Sequence, residues 1–60
     1  MYRVDFEYII QDGTGEHGYS WEYFETAADA LAMAKDEIQW EFTTWVCAWD
    51  TEGNVIFEDR

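Results

Sequence analysis

Apolar and polar positions alternate from Tyr2 to Gln11, with Tyr2, Val4, Phe6, Tyr8 and Ile10 on one face and Arg3, Asp5, Glu7, Ile9 and Gln11 on the other. A period of two over this length predicts a β-strand. The segment Asp12 to Gly18 (DGTGEHG) is rich in glycine and nearly free of apolar residues, which predicts a flexible hairpin loop. Alternation resumes at about Tyr19, with Tyr19, Trp21 and Tyr23 set against Ser20, Glu22 and Phe24. Pairing Ile10 with Tyr19, Tyr8 with Trp21 and Phe6 with Tyr23 aligns two aromatic faces and gathers Asp5, Glu7, Ser20 and Glu22 on the reverse.

The pattern changes period at Phe24–Trp40 (FETAADALAMAKDEIQW). Ala27, Leu31, Ala34 and Ile38 recur at helical spacing with Ala30 on the flank, while Asp29, Met33, Asp36 and Glu37 fall on or near the opposite face. Thr26 is a good N-cap. Asp29, three residues on, completes a Thr-x-x-Asp variant of the capping box and puts a negative charge at the positive end of the helix dipole. No Gly or Pro stops the helix, so its end is placed at Glu37 to Gln39, before the β-branched and aromatic run that follows.

That run, Trp40 to Asp50, predicts a third strand. Asp50-Thr51-Glu52-Gly53 has the form of a type I turn followed by a left-handed Gly, and Asn54 to Glu58 supplies a fourth strand. Setting Asp50 against Asn54 pairs Trp49 with Val55 and Cys47 with Phe57, which with Trp45 make the heavier side and the expected partner of the helix. Val46 would then pair with Glu58 and Ala48 with Ile56 on the other side, leaving an uncovered apolar strip of Val46, Ala48 and Ile56, with Ile9 and Phe24. The expected fold is α+β: a β-β-α-β-β chain forming a four-stranded, mainly antiparallel sheet with one helix on one face. The pattern leaves the order of strands in the sheet open.

Sixty residues make one domain with a small core. Trp, Tyr and Phe number four each, which separates the chain from disordered acidic tails. No run approaches the roughly 18 apolar residues of a membrane span. The start MYRVDFEY lacks the basic and apolar regions of a signal peptide, so the chain is expected in the cytoplasm.

Charge narrows the function classes further. Fourteen acids against three basic residues, Arg3, Lys35 and Arg60, give a formal charge of −11. Such a field repels nucleic acid and anionic membranes and steers the protein toward basic surfaces. Chemistry is sparse. Cys47 is the sole cysteine and sits among Trp45, Val46 and Trp49, the setting of a buried, inert thiol. His17 is the sole histidine, in a glycine-rich loop with no nucleophile placed beside it by sequence. Asp12 and Glu16 lack the spacing of an EF-hand loop, and the glycines lead into a strand rather than a phosphate-binding helix. No catalytic, metal or cofactor residue is expected.

Carboxylates are suited to a site built for phosphates. Residues i and i+2 of a strand lie roughly 6.6 Å apart on one face, of the order of successive backbone phosphates. Asp5, Glu7 and Glu22 on strands, with Asp36 and Glu37 on the helix, are therefore the expected contacts for Arg and Lys of a basic partner. Val46 and Ile56 are the expected contacts of an alternative interaction module, a homodimer among its forms.

The hairpin followed by Tyr23-Phe24-Glu25-Thr26-Ala27-Ala28-Asp29-Ala30-Leu31-Ala32-Met33-Ala34 resembles small acidic phage-encoded proteins, including anti-CRISPR proteins and phage inhibitors of host RNA polymerase. The resemblance implies an inhibitor that occupies a basic nucleic-acid site or a subunit surface, without enzymatic activity. The element order also resembles the immunoglobulin-binding domain of protein G, in topology alone.

Self-repulsion among the carboxylates makes one expectation independent of the fold. Added salt should raise the melting temperature by screening them. A melting temperature that falls steadily with salt would show that attractive ion pairs dominate instead.

Overall fold

The computed structural model describes all residues, Met1–Arg60. The elements follow the order β1 (Tyr2–Ile9), β2 (His17–Phe24), α1 (Ala27–Glu37), β3 (Thr43–Trp49) and β4 (Val55–Asp59). The strands form one antiparallel sheet in the order β2-β1-β3-β4, so β1 and β3 are central, and α1 crosses one face. The architecture is α+β with one covered sheet face. No helix is long and apolar enough to cross a membrane.

The local signals around α1 act as their chemistry dictates. The Thr26 hydroxyl accepts from the Asp29 amide at 3.2 Å, and the helix ends at Glu37 with Ile38 as its C-cap. Asp50 and Asn54 close the second hairpin through a 2.8 Å backbone bond, and Gly53 adopts the left-handed φ of +86° that the turn requires. Strand β3 is shorter than its apolar run. Trp40, Glu41 and Phe42 lie in the turn that follows the helix, where the Thr43 amide donates to Trp40 O, and Trp40 is exposed.

The first hairpin is tighter than its composition predicts. The Ile10 amide donates to Glu16 O at 2.8 Å, and Thr14 donates to Asp12 Oδ1 from both its amide and its hydroxyl. Left-handed Gly13 and Gly15 let the chain reverse within this short loop. His17 and Gly18 consequently belong to β2, and the register is Tyr2 with Phe24, Val4 with Glu22, Phe6 with Ser20 and Tyr8 with Gly18. Relative to the pairing of Ile10 with Tyr19, the strand slips by an odd number of residues, which exchanges its two faces. Tyr19, Trp21 and Tyr23 join Arg3, Asp5 and Glu7, while Glu22 moves to the helix side of an edge strand.

Two bulges shift the second hairpin and its join to β1. Glu7 opposes Trp45 but Tyr8 opposes Thr43, so the register changes across Thr44. Trp49 opposes Val55 as expected, but Ala48 opposes Phe57 and Cys47 opposes Glu58, so Ile56 is the extra residue. Val46 pairs with Asp59 rather than Glu58.

These registers reverse the expected choice of covered face. Val4, Val46 and Ala48 are fully buried against Ala30, Ala34 and Ile38, and Tyr2, Phe6, Phe24, Met33, Ile56 and Phe57 pack around this centre. Met33, expected on the outer face, is part of that ring. Val46, Ala48 and Ile56 are core residues and not an exposed strip, whereas Trp45, Cys47 and Trp49 lie on the uncovered side with Asp5 and Glu7. The reason is size. A helix that presents Ala30 and Ala34 sits close to the sheet, and small residues fit beneath it where indoles do not.

Enlarging that contact should therefore destabilise the fold. Ala34→Leu is expected to cost about 1–3 kcal/mol by overpacking. Urea unfolding checks this, and an unchanged midpoint would mean that the helix does not press on the sheet at Ala34.

Candidate functional site

Asp5 lies at the middle of the uncovered face on central strand β1, yet it is only 2% exposed. Its register partners are Trp21 on β2 and Cys47 on β3. Arg3, two residues away on the same face, forks onto it, Nε to Oδ1 at 2.6 Å and Nη2 to Oδ2 at 3.0 Å. The Tyr19 hydroxyl donates to Oδ2 from the other strand. These donors satisfy a buried carboxylate, which would otherwise be costly. The bond to Asp5 also raises the Arg3 guanidinium above its ordinary pKa, against the opposing effect of desolvation.

Aromatic rings close over this centre. Tyr19 and Trp45 stack at 6.5 Å between centroids with planes 19° apart, although they stand on strands separated by β1. Trp49 meets Trp45 edge-on at 6.2 Å, and Trp21 lies 6.0 Å from Tyr19. The Arg3 guanidinium carbon lies 5.4 Å from the Trp21 ring centroid and 5.8 Å from that of Tyr23, within cation–π range. Tyr19, Trp21 and Tyr23 nevertheless remain about half exposed, because no second layer covers them.

Carboxylates ring the aromatic surface. Glu7 accepts from Thr44 Oγ1 at 3.0 Å and lies 3.1 Å from His17 Nδ1, while Glu58 accepts from Trp45 Nε1 at 2.9 Å. Asp50 sits at the β3–β4 turn. The Asn54 amide above all, and the Glu52 amide, hold its pKa below the usual carboxylate range. Between this turn and the aromatics lies an open concavity of about 660 Å³, bounded by Arg3, Tyr19, Tyr23, Trp45, Trp49 and Asp50 among others.

Of the residues expected to bind a partner, only Asp5 and Glu7 share this face, and Asp5 is already engaged internally. Glu22 stands on the opposite side of the sheet, exposed at its edge. Asp36 is exposed on the helix, and Glu37 accepts from the buried Thr43 hydroxyl at 3.2 Å. Val46 and Ile56 belong to the core beneath the helix. The aromatic residues of the face, with Arg3, escaped the sequence reading because they depend on hairpin register. The available signal was steric: a stripe of alanines favours small residues directly beneath it, so the indole-bearing set is the better fit to the outer face, although Tyr2, Phe6, Phe24 and Phe57 pack around the helix side.

Near His17 the chemistry is incomplete. Glu7 bridges the imidazole and the Thr44 hydroxyl, but the hydroxyl bonds the carboxylate and not the histidine, so no nucleophile is paired with a base. No group of three or more His, Cys, Asp and Glu side chains is placed to hold a metal ion.

No protein family, curated protein or solved structure matches the chain.

Two outcomes are expected at this site. Tyr19→Phe removes one donor from the buried carboxylate and should cost about 1–3 kcal/mol in chemical unfolding; no loss would mean that Asp5 does not depend on the phenol. Burial, with the nearby Glu58 and Asp5 charges, pushes the Cys47 thiol from 9.0 up to about 11. The folded value is the higher one, so this stability is complete below pH 9 and is lost as pH rises toward 11. A thiol reagent at pH 8 should leave native Cys47 unmodified and label it on unfolding. Rapid native labelling would contradict its burial.

Proposed function

We propose that the chain is a non-enzymatic binding protein that docks on a basic protein surface and competes there with nucleic acid, in the manner of phage-encoded inhibitors of the anti-CRISPR type. One observation carries this reading: a chain of net charge −11 leaves a sheet face of tyrosines and tryptophans uncovered and rims it with carboxylates. Aromatic residues are enriched at the centres of protein interfaces, and a surrounding field of one sign favours a partner of the other. Direct base stacking on these rings is disfavoured because the chain has only three basic residues, one of them engaged by Asp5. Glu7 is retained from the acids that the sequence alone selected, and Asp50 and Glu58, near the exposed rings, take the place of Glu22, Asp36 and Glu37.

The test is capture from bacterial lysate on the immobilised protein, followed by elution with salt or with a short DNA duplex. A nucleic-acid-binding protein released by both supports the reading. A partner that DNA leaves in place would show binding outside a nucleic-acid site, and a partner indifferent to salt would remove the electrostatic basis.

A further inference from the structure

Resting on the reading of the chain as a binder of basic proteins, we propose that the concavity beside the β3–β4 turn is an arginine-recognition site. It receives a guanidinium of a basic peptide segment against Trp45 and Trp49, with Asp50 as counter-ion. The cavity of about 660 Å³ is large enough for the side chain together with adjoining backbone.

The neighbouring half of the same wall already holds such a group. Arg3 places its guanidinium against two aromatic rings while forking onto a carboxylate. Across the concavity from Arg3 the same kinds of component recur, two aromatic rings and a carboxylate. Trp45 and Trp49 meet edge-on at 6.2 Å, and both they and Asp50 bound the space. Asp50 accepts the Glu52 and Asn54 amides on Oδ1 at 2.9 Å each, and Oδ2 has only a 3.3 Å bond from the Asn54 side chain. That oxygen retains accepting capacity. Its carboxylate is also held ionised by the turn amides.

Of the chain's basic side chains, Arg3 lines the concavity but is held by Asp5, Arg60 donates to Thr43 O at 2.7 Å, and Lys35 is exposed on the helix. A planar guanidinium that stacks and forks suits this wall better than a compact ammonium. A second copy suits it poorly. Each copy carries −11, and joining these faces would bring Glu7, Asp50 and Glu58 against the same residues of its mate.

The experiment is an amide and indole NMR titration at low salt with blocked hexa-arginine, repeated with blocked hexa-lysine. Trp45 and Trp49 indole signals and the Asp50–Gly53 amides should move most, with arginine bound more tightly than lysine. Asp50→Asn keeps the Oδ1 acceptor of the turn, and Trp49→Leu removes one wall. Each should weaken the arginine peptide by about tenfold. The melting temperature of Asp50→Asn reports whether its turn is intact. Equal binding of both peptides with shifts spread over the helix acids, unaffected by either variant, would overturn the arginine site but leave a basic partner standing. No response to either peptide would remove both readings. Concentration-dependent broadening of the Trp signals without peptide would assign the face to a second copy and overturn the site.

Discussion

The closeness of the helix to the sheet is the constraint on which the rest of the molecule depends. Ala30 and Ala34 have no bulk to hold α1 away, so Val4, Val46 and Ala48 fill the centre of the contact. Larger side chains such as Phe6, Phe24, Phe57 and Met33 are displaced to its perimeter. An 11-residue helix, about 16 Å long, reaches no further than this. Tyr19, Trp21, Tyr23, Trp45 and Trp49 lie on the other side of the sheet.

That side is organised as well as exposed. A carboxylate at its centre would normally draw water, but Arg3 and Tyr19 satisfy Asp5, and the stacked Tyr19 and Trp45 rings span the central strand beside it. Nine of the 60 residues are buried, and Asp5 and Cys47 are two of them despite lying on the uncovered face. The face therefore contributes to the fold while keeping aromatic surface accessible. A protein of this size gains from such double use, since one small core supplies limited stability.

Charge and shape act on binding at different ranges. The net −11 field favours encounter with a basic surface at a distance and weakens with salt. In the proposed binding mode, contact selectivity would rest on the rings and on the few carboxylates placed beside them. Arg3 shows the chemistry at work within the fold, since its charge is held by one carboxylate and two aromatic faces at once. Acids off this face, such as Asp36 on the helix and Glu22 on the opposite side of β2, contribute field without sharing that local geometry.

Local physics was legible in the chain itself. The alternation of β1, the Thr26 cap, the end of α1 near Ile38 and the Asp50–Gly53 turn each depend on neighbours within a few residues, and the α+β class follows from their order. Strand order and the identity of the covered face were decided by tertiary structure. Face identity rests on parity: closure of the first loop at Ile10 and Glu16, and the extra residues at Thr44 and Ile56, set which side of each strand meets the helix. Composition shows that a loop can turn but not where its hydrogen bonds close, and an odd slip moves every side chain of a strand to the opposite face. For that reason Asp5 and Glu7 could be identified as neighbours from sequence, while their aromatic setting could be found only once the strands were paired.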